Sequence, residues 1–272
     1  MNHSLSFDWS VHADPATLGT AVGGAIVVRY LEAQAAGRRF LLGCPGGRTP
    51  RPIYAELARL GAALDLDWSG LTIVMMDDYL VRDGDRLVAC PAAAHYSCRR
   101  FAEREIVAVL DEGRPTGRRV GRLMMPDPAD PAAYDAEIAD AGGIDLFLLA
   151  SGASDGHVAF NPPGTPADSI TRIVPLAETT RRDNLKTFPD FRSLDEVPRH
   201  GVSVGLATIA AAREAVLVLH GAEKGASLRR LMETADFDPA WPATILHRCR
   251  GAVLHADRAA WAAAQAGPGS NM

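Results

Sequence analysis

The stretch "IDLFLLASGASDGHVAFNPPG", Ile144 to Gly164, decides the fold. Its first seven residues, IDLFLLA, form a short and almost wholly apolar run, which reads as a strand buried on both faces. The chain then leaves the core through small residues, Ser151 to Ser154, sets Asp155 and His157 on either side of Gly156, and stiffens at Pro162 and Pro163.

Four further runs have the same character: "RRFLLGC" at 38–44, "LTIVMM" at 71–76, "AVLVLH" at 215–220 and "GAVLHA" at 251–256. Helical spacing of apolar residues marks 15–36, 51–63, 95–111, 131–140, 206–213 and 222–234 between them. A strand-then-helix order of this kind predicts an α/β fold, a Rossmann-like, doubly wound and mainly parallel sheet sandwiched by helices. Stretches 112–119 and 160–168 carry Pro and Gly and read as loops, and no composition shift marks a boundary. One domain over 1–272 is expected, with a frayed tail from about residue 262.

The length of 272 residues is near the upper limit for a single core. A chain 47% hydrophobic and 22% charged is not a disordered one. The formal net charge of -5, with Lys and Arg scattered, argues against a nucleic-acid partner, so any anion site is local. Cys44, Cys90, Cys98 and Cys249 have neither zinc-knuckle spacing nor a disulfide framework, which points to a reducing cytoplasm and to packing roles. Residues 1–15 lack a basic segment followed by an apolar run, and no stretch of about 18 apolar residues occurs. Neither secretion nor a membrane span is expected, and the oligomeric state is left open, a homo-oligomer included.

In open parallel sheets ligands bind beyond the carboxyl ends of the strands, so the residues following each run matter most. After the first comes "GCPGGRTP", where Gly46 and Gly47 allow a tight turn, Arg48 and Thr49 follow, and a helix opens at Pro50 or Pro52. Bare N–H groups, a hydroxyl and a helix N-terminus suit a phosphate; a plain Gly-rich turn is the alternative. The second run ends in "MMDDYL", and an acid leaving an apolar strand is partly desolvated, which raises its pKa and suits a base. One of Asp77 and Asp78 could instead cap a helix or pair with a surface Arg. In "DGH" the carboxylate of Asp155 is spaced to orient the imidazole of His157, although Asp-Gly is also a common turn. Downstream, "TTRRDNLKTF" supplies Arg181, Arg182 and Lys186, and Lys224 stands at a helix start, where an anionic ligand would relieve its conflict with the helix dipole. Arg181 and Arg182 read as surface charges, and His95, His200, His220 and His247 as structural residues.

In the same order, "PGGRTP", "MMDDYL", "HYSCRRF", "DGHVAFNPPG", "TRIVPLAETTRRDN" and "VSVGLATIAAAREAVLVLHGAEKGASL" resemble the glucosamine-6-phosphate deaminases, with the 6-phosphogluconolactonases a step further off. The resemblance spans about residues 38 to 256. It implies the fold of the sugar-phosphate isomerase and CoA-transferase-like superfamily, a sugar-phosphate substrate, no metal and no cofactor. Carried over by position, it makes Asp77 the C2 base, His157 the ring-opening acid and base, and Asp155 its orienting partner. The phosphate would meet Gly46, Gly47, Arg48 and Thr49, with Lys186 and Lys224 as clamps. Lys186 stands where such proteins commonly have Arg, a point charge in place of a bidentate fork. Pro162 replaces a glutamate that assists the histidine, and Ser151, Ala153 and Ser154 alter the turn before DGH. Arg172 matches an effector-binding position but Val174 replaces a lysine there, so no activation by an N-acetylated sugar phosphate is expected. Lactone hydrolysis and sugar-phosphate binding without turnover are the alternative functions.

Overall fold

A computed structural model of the chain describes residues 5–266. Its strands are β1 (Asp8–His12), β2 (Phe40–Cys44), β3 (Leu71–Met75), β4 (Asp77–Asp83), β5 (Arg86–Ala89), β6 (Arg122–Met124), β7 (Leu146–Ala150), β8 (Arg172–Pro175), β9 (His200–Ser203), β10 (Glu214–Leu219) and β11 (Ala252–Asp257). Helices are α1 (Pro15–Ala35), α2 (Arg51–Ala63), α3 (Cys98–Phe101), α4 (Ala108–Asp111), α5 (Ala133–Asp140), α6 (Glu178–Thr187), α7 (Leu206–Ala210), α8 (Gly225–Glu233) and α9 (Arg258–Ala266). A π-helical turn, Ala102–Val107, joins α3 to α4.

Among the described residues a parallel seven-stranded sheet runs in the order β1-β11-β10-β7-β2-β3-β6, so the mainly parallel α/β fold read from the apolar runs is the one observed. Alternate residues of each strand feed two cores. Leu146 and Leu148 face the layer with Leu18, Ile26 and Tyr30 of α1 and Ile53 and Leu57 of α2. Phe147 and Leu149 face the layer with Ile138 of α5, Ile209 of α7, Leu228 of α8 and Ala260 of α9. Burial on both faces removes the need for polar alternation, which is why these strands read as continuous apolar runs. Each buried side chain of this size contributes about 1.5–3 kcal/mol.

A second sheet, antiparallel and four-stranded in the order β5-β4-β9-β8, was not expected. Only Met76 separates the end of β3 from the start of β4, and Val204 N–H donates to the Met76 carbonyl at 2.8 Å, stitching the second sheet to the first at that step. Asp77 therefore opens β4, paired with Ser203, rather than simply trailing β3. At the other end, α9 continues through Ala266, past the point at which the sequence suggests fraying; residues 267–272 lie outside the described part.

Candidate active site

β10, β7, β2 and β3 are consecutive neighbours in the sheet, and their carboxyl ends deliver four segments to one cavity of about 790 Å³. Gly46 to Thr49 follow β2, Asp77 follows β3, Ser151 to His157 follow β7, and His220 to Lys224 follow β10. α6 supplies a further wall with Asp183, Asn184 and Lys186. Of the residues read from sequence, Gly46, Gly47, Arg48, Thr49, Asp77, His157, Lys186 and Lys224 all line this cavity. Asp155 stands behind His157 rather than on the lining.

The turn after β7 is built to hold the imidazole. Asp155 Oδ1 lies 2.7 Å from His157 Nδ1 and also accepts the His157 backbone N–H at 3.1 Å. Its other oxygen accepts the hydroxyls of Thr179 at 2.5 Å and Thr180 at 3.2 Å. The Nδ1–H tautomer satisfies this arrangement and leaves Nε2 for the cavity. Burial raises the pKa of Asp155, but hydrogen bonding and charge from His157 outweigh it, with help from Thr179, and hold the carboxyl well below the usual range. Two glycines make the turn possible. A Cβ at Gly152 would sit 2.2 Å from His157 Nδ1, and Gly156, at φ +66°, lies under the indole of Trp241.

Asp77 has the opposite environment. It is 6% exposed, and desolvation pushes it up to about 7, although a bond from the Cys98 thiol and the charge of His157 pull the other way. Cys98 Sγ approaches Oδ1 at 3.3 Å. Asp78 points elsewhere and accepts the backbone N–H groups of Tyr79 at 2.8 Å and Cys98 at 2.9 Å. Of the acidic pair, only Asp77 lines the cavity.

Lys224 Nζ donates to the Ser151 carbonyl at 2.5 Å, and burial lowers its pKa. It stands at the N-cap position of α8 after a 3-10 turn, Ala222–Lys224, and lines the same cavity as the Gly46 to Thr49 loop.

Three polar residues stand out among the lining residues that the sequence did not point to. Cys98, taken as packing, bonds the candidate base. His220, taken as structural, borders the cavity with Nε2 at 3.0 Å from the Thr49 carbonyl. Asn184 presents a buried Nδ2 that has no protein partner. For His220 the signal was available, since it directly follows a strand as the other site segments do. Arg181 is a correction of another kind: it is buried, and its guanidinium donates to the Leu194 and Val197 carbonyls instead of facing solvent. Pro162 lies outside the cavity lining, its carbonyl accepting the Thr165 hydroxyl at 2.7 Å. Arg172 donates to Asn161 Oδ1 at 3.0 Å. No group of three or more His, Cys, Asp or Glu side chains able to hold a metal occurs among the described residues.

The sequence model of the family described as glucosamine-6-phosphate isomerases/6-phosphogluconolactonase matches residues 13–255. A glucosamine-6-phosphate deaminase of Beutenbergia cavernae is 35% identical over 240 residues, 86% of this chain and 82% of that protein. One from Rhodococcus opacus is 32% identical over 258 residues, 92% of this chain and 90% of its own. Among solved structures, a monomeric glucosamine-6-phosphate deaminase superposes with a TM-score of 0.81 at 24% identity, over 94% of this chain and all (100%) of that one. A 6-phosphogluconolactonase from Shewanella baltica gives 0.67 at 17% identity, over 93% and 99%.

Proposed function

This chain belongs to the glucosamine-6-phosphate isomerase and 6-phosphogluconolactonase family, and from that premise we infer that it converts an aminohexose 6-phosphate to a ketohexose 6-phosphate and ammonia. One observation carries the reading: the imidazole held by Asp155 and the desolvated carboxylate of Asp77 border the same cavity as the Gly46 to Thr49 loop and Lys224.

The substrate phosphate binds the N–H groups of Gly46, Gly47 and Arg48, the Thr49 hydroxyl and the ammonium groups of Lys224 and Lys186. Nε2 of His157 moves the proton from the C1 hydroxyl to the ring oxygen as the pyranose opens. The C1 carbonyl acidifies C2–H, and Asp77 takes that proton, leaving an enolate whose oxygen takes a proton from the C2 ammonium to give the enolamine. Asp77, now protonated, returns the proton to C1. Water adds to the resulting C2 imine, ammonia departs, and the ketose phosphate remains. Each proton taken is given back, and the net cost is one water. With proline at position 162, Asp155 is the carboxylate in contact with His157. Every residue in this scheme comes from one chain, and four free buried thiols suit the reducing cytoplasm in which we place the reaction.

Ammonia release from glucosamine and galactosamine 6-phosphates, coupled to glutamate dehydrogenase, tests the reading. Asp77→Asn should lower kcat by about 10²–10⁴-fold. Hydrolysis of a 6-phosphogluconolactone needs no C2 base. Lactone turnover that survives Asp77→Asn, with no ammonia from any aminosugar phosphate, overturns the reading.

A further inference from the structure

Cys98 grips both members of the acidic pair at once. Its thiol reaches Asp77 Oδ1 at 3.3 Å, and its backbone N–H donates to Asp78 Oδ1 at 2.9 Å. It does so as the first residue of α3, where Ser97 caps the helix by accepting the Arg100 N–H at 3.2 Å. The helix start fixes the Cys98 backbone, and the backbone bond to Asp78 fixes its distance from β4. Cys98 is 6% exposed, yet it borders the cavity. Among the described residues no other side chain hydrogen-bonds Asp77, which leaves Oδ2 without a side-chain donor.

We propose that Cys98 is a positioning residue for Asp77, its S–H donating to Oδ1 so that the carboxylate is held with Oδ2 toward the substrate and favoured in its ionised form. This rests on the assignment of Asp77 as the C2 base. The donor has to remain a thiol, since a thiolate 3.3 Å from a carboxylate would repel it. Burial and the charges of Asp77 and Asp78 push the Cys98 thiol well above its ordinary value, which keeps the proton on sulfur through the working pH range. A buried carboxylate that lost this donor would bind its own proton more tightly. Asp77 would then be ionised, and active, only at higher pH. Serine at 98 keeps an O–H donor; alanine has none.

The test compares the pH profile of kcat/KM for ammonia release in Cys98→Ala, Cys98→Ser and the unmodified protein. Cys98→Ala should move the acid limb upward by about half to one pH unit, with activity down about 3–10-fold at pH 6 and near that of the unmodified protein at pH 8.5. Cys98→Ser should return the limb to within about 0.3 unit. Equal loss at all pH values in both variants, or an unmoved limb in both, overturns the proposal. The S–H stretching band in the infrared gives a readout independent of turnover and of whether Cys98→Ala folds. The difference between the unmodified protein and Asp77→Asn should show one thiol band moving to higher wavenumber, because the amide is a weaker acceptor. A band unmoved by Asp77→Asn refutes the bond itself. A moved band in a protein that releases no ammonia upholds the bond and rejects the deaminase reading instead.

Discussion

Asp77 and Asp155 are buried carboxylates with opposite electrostatic surroundings. Desolvation raises Asp77 to about 7, whereas the hydrogen bonds and charge of His157 overcome the burial of Asp155 and hold it low. Environments that push two carboxyls apart commonly separate a proton carrier from a fixed charge. Ammonia release measured between pH 5 and 9 should therefore rise through about pH 7 as Asp77 ionises. The same shift bears on stability. Folded Asp77 holds its proton more tightly than the unfolded chain, whose value is near 3.8, so the native state is penalised as pH climbs from there through about 7. Asp77→Asn, read by thermal melts, should raise the melting temperature by several degrees at pH 8 and bring no gain below about pH 4. Asp155→Ala should do the reverse, lowering it at pH 8, because a carboxyl with a depressed folded value stabilises above its unfolded value and loses that contribution as pH falls.

At the scale of elements, the turn between β7 and β8 concentrates the constraints. Gly152→Ala would drive a methyl group to 2.2 Å from His157 Nδ1 and 2.6 Å from Asp155 Oδ1. It should lower kcat by at least about 10²-fold with a much smaller effect on urea unfolding, since a misplacement of about 1 Å costs that much in rate. Gly156→Ala meets both a positive φ and the Trp241 indole at 2.3 Å, so it should lower unfolding stability by roughly 1–3 kcal/mol or more, measured the same way. Element type was legible where burial was uniform: β2, β3, β7 and β10 are buried on both faces almost throughout, and α1 and α2 stop within a residue or so of their expected ends. It was not legible where a strand is short or partly wet. β1 exposes Trp9 at 44%, β5 and β8 are only four residues long, and β4 begins with two acids, a composition that argues against a strand until Ser203 and Val202 are known to pair with them. α6 was missed because its sequence, ETTRRDNLKT, has no apolar face.

For the whole molecule, the site is legible because the motifs follow strands that become neighbours, and position after a strand is a sequence property. What stayed hidden depends on contacts across long separations. Thr180 reaches His157 from 23 residues away, and Cys98 reaches Asp77 from 21. Nothing in either local sequence announces that meeting. The convergence of the loop at 46–49 with Lys224 and Lys186 makes a global prediction: a hexose 6-phosphate at about 100 times its Kd should stabilise the fold by about 2.7 kcal/mol, visible as a thermal shift. The unphosphorylated sugar should not, and Lys224→Met should abolish most of the shift.

The single-residue step at Met76 has a further meaning. Asp77 is the first residue of the small sheet, fastened to β9 on one side and to the large sheet through one peptide on the other. The Gly46 to Thr49 loop follows a strand of the large sheet, whereas the segment carrying His157 leaves the large sheet at β7 and is tied to the small one by the Phe160 N–H, which donates to Ser203 Oγ at 3.1 Å. A tilt of the small sheet would swing the Asp77 carboxylate about that joint, with Met76 as fulcrum, relative to the Gly46 to Thr49 loop on the large sheet. Substitutions on the outer strands β5 and β8, neither of which lines the cavity, thus become the lever by which a lineage, or a protein engineer, could re-aim the Asp77 carboxylate against the Gly46 to Thr49 loop.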